Sequence, residues 1–229
     1  MLKPNLNASM YIEAFFIPVM KKRSTFLGIM FVGLFATQLY AQKVTEQCID
    51  AKEIDSVILK AEEVFKISII SYGKNEIKIE TIAEGEYYQQ VFLEEETNDE
   101  TLYLTSSFDR SLVGGYDKLS AHKVISFEIT LYVPRRMRVQ LESPLASLTT
   151  DGSFDYLEAV LRNGNCVLKD FKGNGVISTT QGNIAVEVYN TSVTALSKNG
   201  TAMFPKEKLK GKHRLNLISL NGDILITKK

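Results

Sequence analysis

Few side chains in this sequence have both the type and the spacing that chemistry needs. The two histidines, His122 and His213, belong to no nucleophile motif and no metal-ligand spacing. No GxSxG elbow, phosphate-cradling glycine loop or zinc-binding pair occurs. Glu94-Glu95-Glu96 with Asp99 and Glu100 offers the oxygen ligands that Ca²⁺ takes, but a cage needs them on a curved loop, so the run reads as a solvated acidic turn. Asn165, Asn183 and Asp223 each follow a glycine. The glycine-aspartate nonapeptide of calcium-binding β-rolls is absent, so their expected role is to satisfy backbone groups at turns. Glycoside hydrolysis needs two carboxyl groups close together, and Glu158, Asp170 and Glu187 are scattered singly at outward positions. Of the two cysteines, Cys166 falls at an inward position, where a thiol behaves as a small hydrophobe, and Cys48 lies in the lead-in. Two separate thiols are the reading, with a bridge as the alternative. No residue is assigned to catalysis, a cofactor or a metal.

What organises the chain is repetition. The dipeptides Asn163-Gly164, Gln181-Gly182, Asn199-Gly200 and Asn221-Gly222 place glycines 18, 18 and 22 residues apart. Seven and five positions before each glycine stand Leu157/Ala159, Gly175/Ile177, Val193/Ala195 and Leu215/Leu217. Two and four positions after it stand Cys166/Leu168, Ile184/Val186, Ala202/Phe204 and Ile224/Ile226. A degenerate copy precedes them, with Val139/Leu141 and Leu148 in register and Ala146 at the glycine's place. Period-2 alternation inside a longer repeat is the mark of stacked β-structure. Asn-Gly between alternating apolar residues also signals a two-residue hairpin. A row of hairpins, however, has no need of a constant step, whereas stacked coils must return to the same angular position. The expectation is therefore an all-β, single-stranded β-solenoid of coils about 18 residues long, with Gly164, Gly182, Gly200 and Gly222 at the corners, where glycine accepts left-handed backbone.

The runs FEITLYVP, RVQLES, AVLRNGNCVLKDFKGNGVISTTQGNIAVEV and LISLNGDILI resemble the bacterial "putative adhesin" domain family. Its members follow an apolar strand ending in proline with repeated G-[DN]-I coils. The similarity runs over residues 54–227, most clearly after Val124. Residues 144–146 depart from the pattern, as do Phe204-Pro205 and the basic insertion 206–212. The resemblance implies the solenoid fold and an adhesin-like role, and it carries no catalytic residue.

The start of the chain predicts export. Met20-Lys21-Lys22-Arg23 is a basic n-region, residues 26–35 are an apolar h-region, and the stretch ends at Ala41 before Gln42. That is the layout of a cleaved signal peptide over 20–41, with 1–19 as an over-extended start. The alternative is an uncleaved anchor, since 25–41 is at the short edge of a bilayer span. Cleavage between Ala41 and Gln42 would leave 23 basic and 26 acidic residues, a balance unlike that of nucleic-acid binders.

Between 42 and 123 short alternating strands are expected, either continuing the stack irregularly or forming a small sandwich over its first edge; 124–229 is the repeat region. Residues 106–123 interrupt them as a loop with apolar surface, read first as one folded back over the sheet and alternatively as a binding loop, on which Phe108 and Tyr116 are the candidate partner contacts. The whole reads as an exported, non-enzymatic interaction or structural module, periplasmic, surface-bound or secreted, without a stable membrane span once the signal is removed. Its expected partner is a protein or glycan met at the cell surface. A polysaccharide-active enzyme and an envelope signalling or stress partner are the alternatives.

Overall fold

The computed structural model describes residues 42–85, 88–109 and 125–229. The expected signal segment, the residues before it, Ala41, Tyr116, His122 and most of the 106–123 loop lie outside them.

Among the described residues fifteen strands follow one another: β1 (Gln42–Asp50), β2 (Ser56–Ala61), β3 (Lys66–Tyr72), β4 (Glu76–Gly85), β5 (Val91–Asn98), β6 (Thr101–Phe108), β7 (Ile125–Pro134), β8 (Arg138–Ser143), β9 (Ser147–Asn163), β10 (Cys166–Gln181), β11 (Ile184–Val188), β12 (Thr191–Ser197), β13 (Ala202–Met203), β14 (His213–Asn221) and β15 (Ile224–Lys228). A 3-10 turn at Tyr88–Gln90 precedes β5. The all-β expectation holds, and alternation is why: in β10 the inward residues Cys166, Leu168 and Ile177 are buried to within 1%, as a pleated strand with one face on a core requires.

The regular single-stranded solenoid does not form. All fifteen strands join one curled sheet of mixed direction, and two observations overturn the expected stack. The first is antiparallel pairing: β1 with β4, β4 with β7, and β5 with β6. The second is order. β12 does not pair with β10, as an 18-residue step would place it; β14 does, joining Gly175 to Leu215, and β12 pairs only beyond β14, joining Val193 to Leu215. Likewise β15 lies between β11 and β13. The 18-residue step does hold from β8 through β11, where Val139 meets Leu157, Leu157 meets Gly175, Leu148 meets Cys166 and Cys166 meets Ile184, so the degenerate first copy is in register.

The curl comes from β9 and β10, each long enough to serve two flanks. The first part of β9 pairs with β3 and its second part with β8. Between the parts, Gly152 takes φ 104°, left-handed backbone that suits glycine, and the Ser153 N–H donates to Ser71 Oγ at 2.7 Å. Asp170, with φ 46°, marks the equivalent bend of β10. Inside these bends Phe154 and Phe171 stack with centroids 6.1 Å apart, 2% and 0% exposed. One flank then runs β1-β4-β7-β3-β9-β10-β11-β15-β13, and the other β5-β6-β2-β8-β9-β10-β14-β12. A single aliphatic core fills the space they enclose.

Phe204, at the repeat position where Leu168, Val186 and Ile226 are buried, is instead 52% exposed, because it follows the outermost strand β13 and no further described strand lies over it. Cys48 and Cys166 are both free, one exposed and one buried. Burial pushes the Cys166 thiol up to about 12, so it is an inert core group.

Candidate interaction surface

The four repeat glycines do come together, for a reason different from the expected one. Gly164 and Gly182 have φ 159°, at the margin of ordinary extended backbone. What excludes a side chain is close approach. A Cβ on Gly164 would come closer than 3.0 Å to the carbonyl oxygen of Ala146; on Gly182, to that of Gly164; on Gly222, to that of Gly182; on Gly200, to that of Gly222. The column therefore runs 146, 164, 182, 222, 200, in spatial rather than chain order. Beside it the Asn183 N–H donates to Asn165 Oδ1 at 2.8 Å, the Asp223 N–H to Asn183 Oδ1 at 2.8 Å, and the Thr201 N–H to Asp223 Oδ1 at 2.7 Å. These side chains are spent on the corner, each satisfying a backbone donor of its neighbour.

Of the outward carboxylates, Asp170 and Glu187 both act on the Lys229 ammonium. Glu158 accepts from Gln140 Nε2 at 3.3 Å and Asp170 pairs with Lys229. Glu94, Glu95 and Glu96 lie on β5, and Asp99 and Glu100, with φ 46° and 63°, form the two-residue turn into β6. Among the described residues no group of three His, Cys, Asp or Glu side chains could hold a metal ion. Phe108 ends β6 opposite Val91 and packs partly buried against the core. Gln42 opens β1, its amide donating to Glu84 Oε1 at 2.6 Å.

What the surface does offer is a row of outward side chains on the second flank. Register places Val160 beside Ser178, Ser178 beside Ile218 and Ile218 beside Leu196. Val160, Ile218 and Leu196 are 46%, 43% and 64% exposed. They line a shallow groove of about 280 Å³ edged by Lys198 and Leu220. The same row towards the N-terminal end carries Glu142, Lys60, Thr105 and Glu94. The outward face thus passes from charged to aliphatic along the sheet. Sequence reasoning missed this row because its members come from four strands, and only the true strand order sets Ile218 between Ser178 and Leu196.

A curled, mixed, all-β sheet with one packed core is the class that fold and surface define. Its likeness among solved structures is to a "putative cell adhesion protein" from Clostridium sporogenes, at TM-score 0.59 and 17% identity, over 82% of this chain and 100% of that one. At that identity the likeness establishes the fold alone. A "putative adhesin" from Bacteroides fragilis and another from Parabacteroides distasonis also match 82% of this chain and 97% and 94% of theirs, at 13% identity, with TM-scores of 0.34 and 0.28. No family model matches the chain, and no curated relative does.

Proposed function

We propose that this chain is a non-enzymatic, adhesin-like interaction module that works outside the cytoplasm and holds an extended partner along its outward face. The observation that carries the reading is the aliphatic row Val160–Ile218–Leu196, laid over a sheet whose interior is filled. A packed core leaves few voids larger than a water molecule, so recognition falls to the outside, where side chains stand at fixed strand spacing. The row has no aromatic platform for a sugar ring, so an extended polypeptide suits it better than a glycan strand. The signal layout at 20–41 supports export. The name borne by the Clostridium sporogenes protein of similar fold agrees with a surface role. Among the described residues no helix is long and apolar enough to cross a membrane.

The test is a binding screen of the purified protein against envelope and extracellular proteins and a glycan array, repeated with the double variant Leu196→Glu, Ile218→Glu. The expected result is a protein ligand whose affinity falls at least about tenfold in the variant, a loss of ~1.4 kcal/mol. Unchanged binding by the double variant, or turnover of a polysaccharide, would overturn the reading.

A further inference from the structure

The two ends of the sheet carry opposite charge. Residues 42–109 contain 16 acidic and 6 basic side chains, whereas residues 189–229 contain 2 acidic and 8 basic. The formal charges of these end segments are therefore −10 and +6. Each end also presents two edge strands. Among the described residues, at the N-terminal end β1 pairs only with β4 and β5 only with β6; at the C-terminal end β12 pairs only with β14 and β13 only with β15. An edge strand exposes a row of unpaired backbone groups, a template for another strand.

The C-terminal edge has apolar as well as backbone groups to bury. Leu196, Met203 and Phe204 are 64%, 45% and 52% exposed. Around them Lys206, Lys208, Lys210 and Lys212 are all exposed and make no ion pair among the described residues. The N-terminal edge answers with Phe92, 40% exposed, and the exposed carboxylates of Glu94, Glu95 and Glu96 on β5.

Direction and flank agree too. On the second flank every pair from β6 to β12 is parallel, and β5 runs against β6. A copy placed end-on by translation along the sheet brings its β5 antiparallel beside β12. On the other flank, two successive antiparallel pairs leave β1 running with β13. One translation thus offers partners to both edges. Two C-terminal ends facing each other would instead oppose +6 to +6, which disfavours a two-fold dimer through this surface.

We infer that the occupant of the C-terminal edge is a second copy of this chain, docked head-to-tail by its acidic β5 edge against β12 and the lysine segment 206–212. The inference uses the ends of the sheet rather than the outward groove of the partner-binding row proposed above, with which it shares only Leu196.

The experiment is sedimentation velocity of the full chain across a wide concentration range at low and high salt, with circular dichroism to verify folding. Mass that climbs with concentration beyond a dimer and falls at high salt is the expected result. The variant K206E/K208E/K210E/K212E and the variant E94K/E95K/E96K should each associate at least tenfold more weakly. Mixed together they should associate again, since each then finds an end of opposite charge. Should the multiple variants fail to fold, Phe204→Lys alone, outside the partner-binding row, should weaken association of an otherwise intact protein. A wild-type monomer at every concentration, a plateau at dimer, no recovery in the mixture, or no effect of Phe204→Lys would each overturn the proposal.

Discussion

At the N-terminal end the inward positions of edge strand β1 are Lys43, Thr45 and Gln47, facing the same way as Ala83, Thr81 and Ile79 in register. At the C-terminal end, edge strands β12 and β13 turn Val193, Ala195 and Ala202 inward. The first end closes on itself with polar contacts. Gln47 Nε2 donates to Glu95 Oε2 at 2.7 Å, Thr45 and Thr81 share a hydroxyl contact, and the Lys43 ammonium lies 5.7 Å from the Phe92 ring centroid. These side chains line a groove of about 210 Å³, which ends the core in wettable groups. The second end stops while its residues are still aliphatic. The contrast teaches that the sheet has direction, with one end polar and acidic and the other aliphatic and basic.

The comparison breaks most readily in the core. Leu157→Ala, at a site 0% exposed in the middle of the sheet, should cost about 2–5 kcal/mol. Phe204→Ala, at the open end, should cost about 1 kcal/mol or less, since half of the ring is already in water. Urea unfolding at matched slope measures both. Similar losses would show that the open end is packed as firmly as the centre.

The corner column gives a second, smaller contrast. Gly182→Ala puts a methyl group into the Gly164 carbonyl with stacked backbone on both sides and should cost about 1–3 kcal/mol. Gly200→Ala meets the Gly222 carbonyl from one side only; the outermost repeat can shift into solvent, so the loss should stay below about 1 kcal/mol. A reversed ranking in thermal or urea denaturation would contradict the column's order.

That order also marks how far the sequence could be read. The all-β class, the inward residues and the glycine column follow from alternation and spacing, because a pleated strand cannot hide which face is apolar. Strand direction does not follow. Ile77 and Ile79 alternate in the same way whether β4 runs with or against β7, and it runs against. Nor does spacing tell that Val193, 18 residues after Gly175, yields that neighbour to Leu215. The glycines were legible as corners, but their physical cause lies in carbonyls of adjacent strands, which one strand's sequence does not contain. Of the interaction surface, Phe108 was visible as an apolar side chain and proved to pack against the core, while the exposed row needed the strand order.

The finest distinction between the ends lies in their carboxylates. Burial raises Glu95 above its ordinary value, the Gln47 hydrogen bond opposing the shift. Its contribution to stability is then fully present below the unfolded carboxylate pKa and lost as pH rises through the raised folded value. Glu207 is held below its ordinary value by the Lys228 ammonium, so its contribution is present above the unfolded pKa and lost as pH falls. Urea midpoints between about pH 3 and 7 should therefore show Glu95→Gln gaining on the wild type as pH rises, and Glu207→Gln gaining as pH falls. Parallel trends in the two variants would erase the electrostatic difference between the ends.

The displaced position of β14 and β15 has a consequence for the way the chain assembles. A polypeptide made or exported N-terminus first presents residues 191–203 before the strands with which they pair in the sheet exist. At that moment the free edge is β10–β11, and Val193 stands at the spacing that would let it dock opposite Gly175 as earlier repeats did. The later arrival must claim the same edge. Two segments of similar pattern competing for one template is a recipe for a kinetic trap, and refolding should be slowed wherever the earlier segment occupies it first. The four extra residues between Gly200 and Gly222, carried in the lysine-rich stretch 206–212, give the chain the slack to pass over 191–203 and re-enter the sheet beneath it. The irregularity in the repeat is thus the length of rope that makes the late insertion reachable.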